Sequence, residues 1–173
     1  MKRFENKVVL VTGGTVGIGL GAAEAFAREG ARVVVSARRE GEGLAAAKKI
    51  RDAGGKASFF RADVSSEADV RALVEHVVRT HDRLDVVFNN AGVEGTIGPI
   101  ESLSSADFDH VFSINVRGSV TAERLGAVDD AGRQEDDELA AAVVARRRWK
   151  STPRIGMSPS TGRPSRLRPV LRV

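Results

Sequence analysis

Thr12-Gly13-Gly14-Thr15-Val16-Gly17-Ile18-Gly19 is the run whose residue types and spacing bear most directly on chemistry. It follows an apolar run, Val8-Val9-Leu10-Val11, and precedes an Ala-rich stretch, 22–28, that reads as a helix. A strand, a glycine turn and a helix in that order set a phosphate against backbone N–H groups and the positive end of the helix. The glycines divide the work: Gly13 permits the tight turn, Gly17 lets the backbone approach phosphate, and Gly19 lets the helix pack close to the sheet. A plain turn without a ligand accounts for the same glycines, so other segments must decide. Ala37-Arg38-Arg39 closes a second apolar run with two guanidiniums and no acid. Guanidinium pairs bidentately with phosphate, although a solvated helix start would look the same.

The elements that must position these groups follow from periodicity. Residues 7–12 and 32–36 read as buried strands, and 56–61 and 84–89 as two more. Between them lie helical patterns. The first has Ile18, Ala22, Ala25 and Phe26 on one face and ends at Gly30. The second, 40–53, has Leu44, Ala47 and Ile50 as its inner stripe. The third opens on Ser66-Glu67-Ala68-Asp69, which has the form of a capping box, and buries Val70, Leu73, Val74, Val77 and Val78. Strands alternating with helices imply crossover connections, hence an α/β fold with a parallel sheet covered on both faces. A loop, 93–102, precedes a further helix capped by Ser104-Ser105-Ala106-Asp107, with Phe108, Val111 and Phe112 facing inward. Asn115 stands at the next inward place, where an apolar residue is expected; a satisfied buried amide and a working group both fit.

From about Ser119 the pattern dissolves. Residues 146–173 hold eight Arg, Lys150 and no acid, so they carry +9 of a net +4, which leaves −5 for residues 1–145. All seven Phe lie at or before Phe112, and four of the five Pro at or after Pro153. A chain of this composition cannot bury enough apolar surface to offset its entropy, so the second part reads as a disordered basic tail. Nine cations could meet nucleic-acid phosphates, but Trp149 is the only aromatic there and no base-reading motif accompanies it. Without cysteine, disulfides and thiolate metal sites are excluded, and no metal site is expected. No apolar run is long enough to span a membrane, and the N-terminus lacks a signal-like apolar stretch, so a cytoplasmic protein is expected.

Four segments, taken together, resemble the short-chain dehydrogenase/reductase family: the Gly-x-x-x-Gly-x-Gly turn with Thr12, Asp63-Val64 after the third strand, Asn89-Asn90-Ala91-Gly92 after the fourth, and Asn115 in Ile114-Asn115-Val116-Arg117-Gly118. The resemblance covers 7–118. It implies a Rossmann-type, doubly wound parallel sheet binding NAD or NADP, and hydride transfer between nicotinamide and an alcohol or carbonyl substrate. By the resemblance, Thr12, Gly13, Thr15, Val16, Gly17, Ile18 and Gly19 form the pyrophosphate turn, and Asp63 and Val64 flank the adenine. Asn89, Asn90, Ala91 and Gly92 would lie beneath the ribose and nicotinamide, and Asn115 would be the helix-borne member of the catalytic tetrad. Arg38 and Arg39, in place of an acid that would mark NAD, lean the choice toward NADP.

The resemblance also marks a loss. Family members continue into a strand with a catalytic Ser and a helix with Tyr-x-x-x-Lys. This chain has no tyrosine, and its only lysine after Asn115 is Lys150. The expectation is therefore a dinucleotide-binding domain over 1–118, C-terminally incomplete, with a tail over 119–173 whose abrupt change of composition fits a shifted reading frame. Such a chain would be inactive as written. The alternative is a non-catalytic nucleotide-binding or interaction protein whose basic tail meets acidic partners. A homo-oligomer is open to it if the fold is complete enough.

Overall fold

The computed structural model describes residues 2–130. Four strands, β1 (Val8–Thr12), β2 (Arg32–Ala37), β3 (Lys56–Arg61) and β4 (Val86–Asn89), form one parallel sheet in the order β3-β2-β1-β4. Every pair is parallel because a helix returns the chain between strands: α1 (Gly17–Arg28), α2 (Glu40–Asp52) and α3 (Glu67–His81). The order reverses at β1, which pairs with β2 on one side and β4 on the other. Crevices that bind ligands open at the carboxyl ends of strands at such a reversal.

β1 is buried along its whole length and alternates its side chains between two cores. Val9, Val11, Val33 and Val35 pack with Ala23, Ala27 and Ile50 of α1 and α2. Val8, Leu10 and Val34 pack with Leu73 and Val77 of α3 on the opposite face. The sheet is therefore doubly wound, as the alternation of patterns implies.

Three helix faces differ from the sequence expectation, those of α1 and α2 for one reason. In α1 the buried residues are Gly19, Ala23 and Ala27, while Ile18 is 79% exposed and Phe26 only partly buried. In α2 the stripe is Gly43, Ala46, Ala47 and Ile50, and Leu44 is 53% exposed. The cause is the same in both. A helix seated against a sheet approaches closest through its smallest residues, and a Cβ on Gly43 would lie 2.0 Å from the Phe59 ring. Only half of the capping box at α3 forms: Ser66 accepts from the Asp69 N–H, but the Asp69 carboxylate accepts from the Asp63 N–H.

After β4 the chain makes a 3₁₀ turn (Ile100–Ser102), then α4 (Ser105–Phe112), a π turn (Ser113–Arg117) and α5 (Gly118–Asp130). The Ser104–Asp107 capping box is present in full. The inward face expected for α4 is not buried: Phe108 and Phe112 are 48% and 46% exposed and stack on each other, with ring centroids 4.1 Å apart. The pattern that fades at Ser119 in the sequence continues structurally as α5. Its first turns bury Gly118, Thr121 and Ala122 at i, i+3, i+4, residues too small or polar to register as a hydrophobic stripe, and α5 packs on α3 and β4. The acidic and basic runs beyond residue 130, and the disorder expected of them, lie outside the described residues.

Candidate functional site

A cleft of about 480 Å³ opens at the carboxyl ends of β1, β2, β3 and β4. It gathers most of the residues singled out in the sequence: Gly13, Thr15, Val16, Ile18 and Gly19 from the glycine turn, Arg38 and Arg39 after β2, and Asp63 and Val64 after β3. Asn90, Ala91 and Gly92 after β4 complete it. The exposure of Ile18 and Val16, out of place for core residues, is explained by their place on this rim.

The glycine turn is shaped by close approach. Gly13 has φ +64°, and a Cβ there would lie 2.8 Å from the Ala91 Cα. A Cβ on Gly19 would lie 2.3 Å from the Gly13 carbonyl oxygen and 2.5 Å from Asn90 Nδ2. Gly19 thus seats α1 on the turn itself and on the β4 loop, rather than on the strands. Gly17 differs: it has φ +54° and open space where a Cβ would stand. The N-cap of α1 is Val16, which has no side-chain oxygen, and the first turn holds no acid. The leading N–H groups of α1 therefore have no side-chain acceptor, and the positive end of the helix dipole is not neutralised there.

Thr12 and Asn90 lock the two central strand ends together. The Thr12 hydroxyl accepts from the N–H groups of Asn90 and Ala91 at 3.1 and 3.2 Å. The Asn90 amide donates to the carbonyls of Thr12 and Gly13 at 3.2 and 3.1 Å. Thr12 is buried beneath the cleft and serves as its brace. Asn89 points away from it: its amide donates, at 3.5 Å each, to the Ser119 carbonyl and the Glu123 carboxylate of α5. Alternation along β4 sends the two neighbouring asparagines to opposite sides.

Asn115 sits in the π turn, and its side chain clasps one peptide. Oδ1 accepts from the Val93 N–H and Nδ2 donates to the Val93 carbonyl, both at 2.9 Å. Asn115 does not line the cleft, but Val93 and Ile114 do. Sequence reasoning gave no site role to those two, nor to Ser36, Ala37 and Ala62, although Ala37 and Ile114 stand inside the runs it quoted; small and apolar residues carry little chemical signal in a sequence.

The charges at the β2–β3 end are unevenly engaged. Arg39 pairs with Glu42 at 2.7 Å. Arg38 makes no hydrogen bond or close ion pair among the described residues, and its charge faces Asp63. Partial burial raises the Asp63 carboxyl pKa. The hydroxyl and N–H of Ser65, with the charges of Arg38 and Arg61, outweigh that and hold it below its ordinary value. Asp63 Oδ1 accepts from the Ser65 hydroxyl at 2.7 Å and its N–H at 2.9 Å, so it stays ionised and rigid. Among the described residues no group of His, Asp and Glu could hold a metal ion. No helix there is long and apolar enough to cross a membrane.

A family model for short chain dehydrogenases matches residues 7–129. Cyclopentanol dehydrogenase of Comamonas sp. (strain NCIMB 9872) is 44% identical over 117 residues, which are 68% of this chain and 46% of that protein. Tropinone reductase-like 1 of Erythroxylum coca is 43% identical over 121 residues, 68% of this chain and 43% of that one. Among solved structures, a metagenomic short-chain oxidoreductase in complex with NADP superposes with a TM-score of 0.71 at 32% identity, covering 75% of this chain and 58% of the other. An NAD⁺-bound xylitol dehydrogenase gives 0.72 at 34%, covering 76% and 50%. The chain spans slightly under half the length of these two curated relatives.

Proposed function

Because the chain belongs to the short-chain dehydrogenase family, we propose that its cleft binds a nicotinamide dinucleotide, with the pyrophosphate against the N-terminus of α1 and NADP preferred over NAD. The observation that carries this is the glycine turn: two glycines that a Cβ would jam, and a helix N-terminus without a capping side chain, opening on one cleft. Asn90, Ala91 and Gly92 would lie beneath the ribose and nicotinamide. Arg38, unpaired among the described residues, is the group to meet a 2′-phosphate; Arg39 is shared with Glu42. The NADP and NAD⁺ complexes among the structural neighbours support the cofactor class without separating the two.

The bound cofactor would supply the hydride donor or acceptor for an alcohol or carbonyl substrate. The chain's own contribution is to hold it: the turn binds phosphate, Asp63 and Val64 border the adenine side, and Asn115 fixes Val93 at the other end. Residues 1–118 form the dinucleotide-binding unit in this reading. Proton transfer to the substrate oxygen is the step that the chain does not equip, since it has no tyrosine. A positioned acid/base contributes about 10²–10⁴-fold, and the chain as written is therefore inactive in this proposal. The change of composition after Gly118 fits a shifted reading frame; a Tyr-x-x-x-Lys in another frame of the coding DNA would support that.

The test is protection by cofactor. A ligand at 100 times its Kd stabilises the native state by about 2.7 kcal/mol. NADPH should raise the melting temperature more than NADH, and Arg38→Asp should weaken NADPH more than NADH. Absence of any shift at millimolar cofactor would overturn the proposal, and equal losses would remove Arg38 from the selectivity. Turnover of alcohols or ketones that scales with purified protein would overturn the inactivity.

A further inference from the structure

We infer that Gly118 is a positioning residue of the cleft, because its lack of a side chain sets where Val64 stands in the wall. This rests on the cleft being the dinucleotide site proposed above. Gly118 is the first residue of α5, directly after the π turn that carries Asn115, and it is buried. A Cβ there would lie 2.7 Å from the Val64 carbonyl oxygen, 3.0 Å from the Val64 Cβ and 3.2 Å from its carbonyl carbon. Two of those three atoms are backbone, so a rotamer change cannot relieve the contact.

Val64 has little room to yield. On its N-terminal side, the Asp63 N–H donates to Asp69 Oδ2 at 2.9 Å. Around it, the Asp63 carboxylate holds the N–H and hydroxyl of Ser65. A push on Val64 therefore moves Asp63 as well, and both line the β3 end of the cleft beside Arg38. α5 has little room to retreat either, since Arg124 donates to Glu67 at the start of α3 and Asn89 donates to the Ser119 carbonyl. Thus one segment, 113–118, sets three separate pieces of wall: Ile114 directly, Val93 through Asn115, and Val64 through Gly118.

The experiment uses the full chain and measures affinity for NADPH, for 2′,5′-ADP and for nicotinamide mononucleotide, alongside the unliganded melting temperature. Gly118→Ala should weaken 2′,5′-ADP by at least about fivefold and leave the mononucleotide nearly unchanged. Val64→Ala, which lowers the same wall from the other side, should also weaken 2′,5′-ADP selectively. Gly21→Ala, where a Cβ meets nothing within 4 Å, is the control and should leave every affinity unchanged. A folded Gly118→Ala chain with wild-type affinity for 2′,5′-ADP, or equal losses for both half-cofactors, overturns the inference. If Gly118→Ala does not fold, Val64→Ala decides alone, and unchanged 2′,5′-ADP affinity overturns it. Wild-type protein that binds none of the three probes instead refutes the dinucleotide reading, and the inference falls with it.

Discussion

On the β1–β2 side of the sheet, all of β1 and the run Val33-Val34-Val35 are buried between α1 and α2 on one face and α3 on the other. On the β4 side, Val86 is the only buried residue of the strand, and α4 has none. Both sides come from similar sequence patterns, apolar strands followed by helices with an apolar stripe. The difference lies in what each stripe has to pack on. α1, α2 and α3 each find a sheet face beneath them, whereas Phe108 and Phe112 stack on each other and stay about half exposed. The centre beneath most of the cleft, β1 and β2, is thus buried by its own helices, whereas the edge strand β3 is only partly covered. The β4 side contributes a wall in which, among the described residues, the strand and α4 are less buried.

Three substitutions test that contrast, in decreasing size of effect. Gly19→Val belongs to the β1–β2 side. Its Cβ would meet the Gly13 carbonyl and Asn90 Nδ2 well inside contact distance, so it should cost about 3 kcal/mol in urea unfolding and abolish any cofactor-induced thermal shift. A mild effect would mean that the turn is looser than the strands beneath it.

Asp85 probes the seam between the halves. It is buried at the foot of β4, where its carboxylate accepts from the Val8 N–H at 2.7 Å and pairs with Arg83 and Lys7. Burial raises its pKa, but the Arg83 and Val8 hydrogen bonds and the Arg83 and Lys7 charges prevail and lower it. A carboxyl with a depressed folded pKa adds stability above the ordinary carboxylate range and loses it as pH falls through the folded value. Asp85→Ala should cost about 3 kcal/mol at neutral pH. It should also flatten part of the acid limb of a stability–pH curve; an unchanged acid limb would show that the pair is not felt in solution.

The smallest effect is expected at Phe108. Phe108→Ser on the β4 side, which removes the stack on Phe112, should cost about 1 kcal/mol. A loss of several kcal/mol in equilibrium unfolding would show that this face is covered in solution, and the contrast would disappear.

Legibility in the sequence follows the same division. The strands and the cleft residues of the β1–β2 side are readable because runs such as Val8 to Val11 and the glycine spacing carry their physics locally. The helix faces are less so. Hydrophobicity points to Ile18 and Leu44, but the sheet takes Ala23 and Gly43, whose value is that they occupy little space. Asn89 and Asn90 look alike in sequence and face opposite ways, one to α5 and one to the glycine turn. In the sequence Asn115 breaks a stripe expected to be buried, yet Phe108 and Phe112 of that stripe are about half exposed and the asparagine clasps the Val93 peptide. Where the partner of a residue lies far along the chain, its type alone cannot reveal the partner.

The strand order has a consequence during synthesis. Of the four strands, β1 is made before the others, and its two neighbours come from very different distances along the chain, β2 close behind it and β4 much later. Its lock to the β4 loop, Thr12 to Asn90, joins positions 78 apart. At ordinary elongation rates of 5–20 residues per second, that interval is roughly 4 to 16 s. Throughout it, a largely apolar strand can complete only one of its two edges. The nascent chain is then a template for other strands, and the window of greatest risk closes when β4 is delivered, long before the last residue is added.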